Sequence, residues 1–330
     1  MYSRAYAVMR PTSTRALPSH KVVRLSVRHH STESIAKFPI LEFKQSISVR
    51  VMTKYDLKMV MGWAASEGWN PGKYEIEPLY AADPRGYKVL EVDGEPIASL
   101  ASIKHSQSLA FLGLYIVKPE FRGKGYGKLL WDISMGTLMD CKTIGLNGVL
   151  SQVDNYRKSG FLPCHLNTRW RGTSFLPLTE TDPAKDVNLK KKDDFSLSRL
   201  VDYDAKIFAT PRAAFLNKWL AMPESHVLAA VDSGILRGYG VVSAAEQGYK
   251  VAPLFADNIA IAEKLYGALC QCVGDKKTIY LDTAETNPFA SILAKRFGLE
   301  KTFDTLRMYR GQAPQIQDSK IFGLTTLEIG

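Results

Sequence analysis

No stretch of this chain reaches the roughly 18 consecutive apolar residues of a membrane-spanning helix, so a helical span is excluded. Cysteine is sparse: Cys141, Cys164, Cys270 and Cys272 form no C-x-x-C pair, which excludes the common redox and zinc motifs. Free thiols in a reducing compartment are expected. The histidines form no ligand cluster. His20, His29 and His30 lie near the start, and His105, His165 and His226 are scattered. No metal is expected. Acid is missing altogether from residues 1–32.

That last absence explains the formal charge of +10. Arg4, Arg10, Arg15, Lys21, Arg24 and Arg28 all fall in the acid-free segment, so only +4 remains over residues 33–330. Charge therefore gives no reason to expect a nucleic-acid partner. The segment is rich in Arg, Ser and Thr and has no apolar h-region, so it is not a secretory signal. It resembles a mitochondrial targeting leader, with Arg28-His29-His30-Ser31 as a processing site. A mitochondrial matrix location is expected; the alternative is a disordered basic arm on a cytoplasmic protein. At 330 residues and 45% apolar content, the chain can build two domains with sizeable cores.

The most informative stretch is Arg122-Gly123-Lys124-Gly125-Tyr126-Gly127. It follows the apolar run Leu109–Val117 and precedes Lys128-Leu129-Leu130-Trp131, an order that reads as buried strand, glycine-rich loop, helix. Glycines let backbone N–H groups converge without a Cβ in the way. A helix N-terminus adds partial positive charge, so the loop is an anion cradle suited to a pyrophosphate. Its spacing fits neither a P-loop nor a dinucleotide fingerprint.

Val117-x-Pro119-x-x-Arg122-Gly123-x-Gly125-x-Gly127 resembles the acyl-CoA loop of the GNAT acyltransferase superfamily. In that superfamily the loop binds the coenzyme A pyrophosphate and the preceding strand lies along the pantetheine. The resemblance therefore implies that Tyr115, Ile116, Val117, Arg122, Gly123, Lys124, Gly125, Tyr126, Gly127 and Lys128 bind acetyl-CoA or another acyl-CoA as co-substrate, and Asn155 is expected to join them.

Residues 46–172 and 193–311 share one plan. Asp93-Gly94 and Ser233-Gly234 each sit between apolar runs, a hairpin signal. In the second half a helix is expected to start at Asp257 as N-cap, and another to run from Pro288 to Phe297 with Gly298 past its end. Thr173–Asp194, with Pro177, Pro183 and the run Lys190-Lys191-Lys192, reads as a linker with a solvated basic segment. The apolar tail Ile321–Ile329 is expected to pack as an extended strand.

Most of the chain is similar to a small tandem GNAT family of the YitH/HolE type. Gly68-Trp69-Asn70-Pro71-Gly72, Asn155-Tyr156-x-Lys158-Ser159-Gly160-Phe161 and Phe322-Gly323-x-Thr325-Thr326-Leu327-Glu328 are among the stretches that carry the likeness. The implied fold is α+β: two tandem GNAT-like domains, each a mixed, mostly antiparallel sheet flanked by helices, the second one degenerate. The expected division is a leader (1–32), a catalytic domain (46–172), a linker (173–192), a degenerate domain (193–311) and a tail packing on the body (312–330).

The halves differ where chemistry would occur. The second has Phe255-Ala256-Asp257-Asn258 in place of the glycine-rich loop, and an Asp there repels a pyrophosphate. In the superfamily a tyrosine four residues before Gly-Phe commonly protonates the departing thiolate. That role falls on Tyr156; the second half has Ala294 there. One departure is Val149, where the superfamily usually has Asn seven residues before that tyrosine, so the helix carrying Tyr156 is expected to be short. The base is not identified, and Glu67, Asp83, Glu91 and His105 are candidates. Trp69 and Asn70 stand where this superfamily places substrate contacts. The expected function is acyl-CoA-dependent, most simply acetyl-CoA-dependent, N-acyl transfer to a small amine or amino-acid-like acceptor. The alternatives are a non-catalytic acyl-CoA-binding scaffold and a protein-lysine acetyltransferase.

Overall fold

The computed structural model describes residues 45–174 and 184–330, with the backbone of Val27–Arg28. The expected leader otherwise lies outside the described residues, as does 175–183 of the expected linker. β1 (Val27–Arg28) falls in the expected leader, and the first half contains β2 (Ile47–Val51), α1 (Lys54–Ser66), α2 (Ile76–Ala82), β3 (Tyr87–Val92), β4 (Glu95–Lys104) and β5 (Leu109–Val117). It continues with α3 (Tyr126–Gly136), β6 (Thr143–Val149), α4 (Val153–Lys158) and β7 (Leu162–Thr173). The second half contains β8 (Asn188–Lys191), α5 (Leu197–Phe208), α6 (Ala213–Trp219), β9 (Ser225–Asp232), β10 (Ile235–Ala244) and β11 (Tyr249–Ala256). It closes with α7 (Ile259–Val273), β12 (Thr278–Ala284), α8 (Pro288–Arg296), β13 (Glu300–Arg310) and β14 (Ile321–Gly323).

Local chemistry accounts for most of these elements. Thr53 caps α1 by accepting from the Asp56 amide, and the Asp56 carboxylate accepts in turn from the Thr53 amide. Asp93, Gly94, Ser233 and Gly234 all have positive φ, the geometry that closes a tight hairpin in the twist of its strands. The N-cap of α7 is Asn258, not Asp257: Asn258 Oδ1 accepts from the Ile261 amide at 3.0 Å. Asp257 is engaged elsewhere, accepting from the Tyr203 hydroxyl and pairing with Lys320.

Among the described residues all strands join one sheet, in the order β1-β2-β3-β4-β5-β6-β13-β7-β12-β11-β10-β9-β8, with β14 on β11. The sequential halves are therefore not self-contained. The last strand of the second half, β13, lies between β6 and β7, and β7 pairs with β12. Each half thus completes its sheet beside the other's closing strand. The helices share a core as well: Leu57, Val60 and Leu79 cluster with Leu200, Phe215 and Trp219. The end of the expected linker is strand β8, whose mostly exposed lysines sit on the edge of the sheet. Lysine on an edge discourages pairing with another chain. Only Ile321–Gly323 of the tail forms a strand.

The parallel strands β5 and β6 pair only over Leu109–Leu112 and Thr143–Leu146. Beyond this they part. An irregularity in the β4–β5 ladder falls at Leu114, which has φ 46°, and Ser99 Oγ donates to the Leu114 carbonyl at 2.7 Å. A bulge bends the strand that carries it. The second half parts in the same way: β11 and β12 pair in parallel only over Tyr249–Val251 and Ile279–Leu281. There the gap is filled. β14 pairs with β11, and the Leu324 amide donates to the Asp282 carbonyl of β12 at 2.7 Å.

Candidate active site

The gap between β5 and β6 opens into a cavity of about 540 Å³. One wall is the outer part of β5, Gly113 to Val117. The mouth is the glycine-rich loop, where Gly123 (φ 74°) and Gly125 (φ 86°) take left-handed conformations that favour glycine. A short 3-10 turn over Pro119–Phe121 precedes it and α3 follows at Tyr126. Gly127 has no room for a side chain, because a Cβ there would stand 2.7 Å from the Tyr115 hydroxyl. The first N–H groups of α3 lack intrahelical partners by geometry, and the helix dipole adds positive potential at the loop. Arg122 is held by its Nε bond to the Val117 carbonyl (2.8 Å) and its ion pair with Glu67.

Tyr156 reaches this cavity from α4, which is short, as the missing Asn led one to expect. Its ring packs on Trp131 with centroids 5.6 Å apart and covers Gly148, where a Cβ would lie 2.8 Å from the ring. Burial pushes its phenol up to about 12. It is therefore protonated at neutral pH and available as a proton donor. Tyr115, also raised chiefly by burial, feels the Tyr156 charge, so the two phenols are neighbours.

Most of the residues expected to hold the coenzyme line the cavity: Tyr115, Ile116, Val117, Arg122, Gly123, Gly125, Tyr126, Gly127 and Lys128. Lys124 and Asn155 are not among its lining residues. The Lys124 ammonium sits 5.3 Å over the Phe121 ring, and exposed Asn155 donates to Gln152 Oε1 at 2.8 Å. Trp69 lines the cavity, whereas Asn70 does not. Asn70 instead clamps the halves together: its amide nitrogen donates to the Gln247 carbonyl and its oxygen accepts from the Gln247 amide. Its buried position and φ of 49° mark a structural turn.

Of the candidate bases, only Glu67 lines the cavity, and Arg122 occupies it. Glu91 pairs with Arg50. Asp83 accepts from the Lys104 and Arg85 amides. His105 is held to about 4 by burial, and its Nε2 donates to the Ile329 carbonyl at 2.6 Å in a separate apolar pocket. Asn147, Arg169, Leu327 and Glu328, none of which a sequence motif singles out as a site residue, close the inner end of the cavity. The tail crosses both strands there. Asn147 Nδ2 on β6 donates to the Leu327 carbonyl at 2.9 Å, and the Glu328 backbone lies against Gly113 of β5. An acid in the otherwise uncharged stretch of residues 321–330 was the one available signal.

Residues 55–161 match a family profile described as "Acetyltransferase (GNAT) family", and residues 200–323 match one described as "Acetyltransferase (GNAT) domain". The chain is 28% identical over 302 residues to holothin acyltransferase of Pseudoalteromonas sp. (strain SANK 73390), covering 91% of this chain and all of that one. It is 22% identical over 264 residues to the uncharacterized N-acetyltransferase YitH of Bacillus subtilis, covering 80% and 91%. A solved structure of a Pyrococcus horikoshii protein superposes with TM-score 0.73 at 19% identity, over 92% of this chain and all of that one. A tandem GNAT protein from the clavulanic acid biosynthesis pathway superposes with TM-score 0.56 at 14% identity, over 82% and 99%. The last two comparisons speak to the fold.

Proposed function

Because this chain belongs to the GNAT acyltransferases, with two such domains in tandem, we propose that its first domain uses acetyl-CoA to acylate the nitrogen of a small amine. The carrying observation is the asymmetry between two equivalent gaps. The gap between β5 and β6 leads to a glycine-rich loop and a cavity, while that between β11 and β12 is occupied by β14. An extended pantetheine arm fits along the open wall, with its pyrophosphate on the loop N–H groups. The thioester carbonyl then lies toward the inner end, where an amine nitrogen attacks it. The C–S bond breaks and Tyr156 supplies a proton to the thiolate.

Two features favour a small acceptor. Trp69 and the second half wall off the inner end, where Arg169 donates to the Trp69 carbonyl and pairs with Asp282. The name of one similar protein, a holothin acyltransferase, points the same way. We place the protein in the mitochondrial matrix on the composition of residues 1–32, which a fluorescent fusion of residues 1–40 tests. The catalytic reading is tested by titrating the protein with acetyl-CoA and following thiol release over a panel of amines. Saturable binding with amine-dependent release is expected. Binding without release for any amine favours a scaffold, and no binding rejects the site.

A further inference from the structure

We propose that Glu328, carried into the catalytic cavity by the C-terminal tail, binds the acceptor as an ammonium ion and takes its proton, which makes the enzyme selective for amines that are cationic in solution. The proposal rests on the acyl-transfer reading above.

The tail is a built part of the site. Asn287 Nδ2 donates to the Ile321 carbonyl at 3.0 Å, Arg212 Nη2 to Thr325 Oγ1 at 2.7 Å, Asn147 Nδ2 to the Leu327 carbonyl at 2.9 Å, and His105 Nε2 to the Ile329 carbonyl at 2.6 Å. Two of these four donors come from each half of the chain. Glu328 is thereby fixed against Gly113, at the inner end of the wall along which the coenzyme arm would lie. From Gly113 to Val117 is roughly 13 Å of extended strand, which puts Glu328 at the end of the cavity opposite the pyrophosphate cradle.

Charge selects the ligand. Glu328 is only 5% exposed yet lines the cavity. Two nearby buried cations are already matched, Arg169 with Asp282 at 2.7 Å and Lys250 with Glu75 at 2.7 Å, while Arg307, behind Asn147, donates to Asn147 Oδ1 and lies over the Phe111 ring. Among the described residues, the Glu328 carboxylate accepts from the Thr326 hydroxyl and has no ion-pair partner. Arg169, Lys250 and buried Tyr87 are all close enough to feel its charge. Arg169, Asp282, Lys250, Glu75 and Glu328 together thus carry one negative charge in excess beside an open volume, and a buried carboxylate is stable when a counter-charge arrives. A primary ammonium supplies that charge and the proton to be removed.

The balance is as follows. Glu328 takes one proton from the ammonium and the neutral nitrogen attacks the thioester carbon, forming C–N. The C–S bond breaks as the thiolate takes the Tyr156 proton. The second N–H proton restores Tyr156 through solvent, and the Glu328 proton leaves to solvent. The products are amide, coenzyme A thiol and one proton.

Glu328→Gln keeps the shape and removes the charge. Acetyl-CoA affinity by calorimetry should stay within about twofold, because Glu328 lies far from the cradle. Thiol release with cationic primary amines should fall by roughly 10²-fold or more, the span of a lost base. Release with hydroxylamine, uncharged at neutral pH, should fall much less. In Glu328→Ala, added formate should restore part of the rate. Acceptance of no amine by the wild-type protein overturns the proposal together with the acyl-transfer reading. Wild-type rates in Glu328→Gln, or an equal loss for every amine with no formate rescue, overturn the proposal while leaving the acyl-transfer reading intact. Failure of the wild-type protein to bind acetyl-CoA overturns both. If Glu328→Gln does not fold, Glu328→Asp takes its place: the charge is kept but withdrawn by one methylene, and full turnover in it refutes the assignment.

Discussion

The Glu328 carbonyl passes so close to Gly113 that a Cβ added to Gly113 would stand 1.7 Å from it. A glycine in the middle of β5 is thus the residue that lets the tail lie across the strand that walls the cavity. The contact joins two positions far apart in the chain and sets the depth of the cavity.

Gly113→Ala should displace the tail. Overpacking of this kind costs about 1–3 kcal/mol, and here backbone rather than a yielding side chain is in the way. Thermal melting should show the loss, and amine-dependent turnover should fall with it. A variant with unchanged melting and unchanged turnover would show that the tail does not dock on β5.

Calorimetric titration should give one acetyl-CoA per chain, because β14 fills the gap of the second half and Asp257 stands near where a cradle would be. Gly125→Asp should abolish that single site. Gly125 holds φ 86°, and the substitution adds a Cβ in a left-handed position and a negative charge beside the pyrophosphate. Two binding events per wild-type chain, or full affinity in the folded variant, would refute the division of labour.

Tyr156→Phe should bind coenzyme normally and turn over more slowly by roughly 10²–10⁴-fold. The pH dependence follows from burial. The competent form is the neutral phenol, and because burial raises its pKa to about 12, it stays protonated well above the usual phenol range. The wild-type rate should therefore show no decline from this group between pH 8 and about 10. A basic limb in that interval that disappears in Tyr156→Phe would mean a phenol with an ordinary pKa and would contradict the burial argument.

Arg169→Met should destabilise the whole molecule by about 3–5 kcal/mol, since it strands Asp282 as an uncompensated buried charge. Arg169 is on β7 of the first half and Asp282 on β12 of the second, paired across the ladder. Denaturant unfolding followed by intrinsic fluorescence should keep a single transition, because the halves share strands and core. Two separated transitions would refute that coupling.

Features written in short spans of sequence were legible without coordinates. The strand Leu109–Val117, the loop through Gly127 and the helix after it depend on periodicity, glycine conformations and the end of one helix, all local. The tight turns at Asp93-Gly94 and Ser233-Gly234 are local for the same reason. Tyr156 came from a short motif, and the structure brings it to the cavity that the loop opens. Where local signals were ambiguous, they misled. Two adjacent residues, Asp257 and Asn258, can both cap a helix, and the competing bonds of Asp257 to Tyr203 and Lys320 gave the cap to Asn258. Asn70 looks like a substrate contact from its motif, yet its partner is the backbone of Gln247 in the other half.

Tertiary structure alone decided which strand closes which half and that the tail with Glu328 closes the cavity. Periodicity tells that β7 and β13 are strands but not their neighbours, because any two apolar strands can satisfy one another's backbone groups. The exchange that sets β13 between β6 and β7 is a choice among long-range pairings. The place of Glu328 depends on that same assembly. The tail fills the second gap, crosses between the halves under the hold of Asn287, Arg212, Asn147 and His105, and ends against Gly113. No spacing in the sequence encodes such a path, since it is the sum of contacts with elements that lie next to each other only after folding.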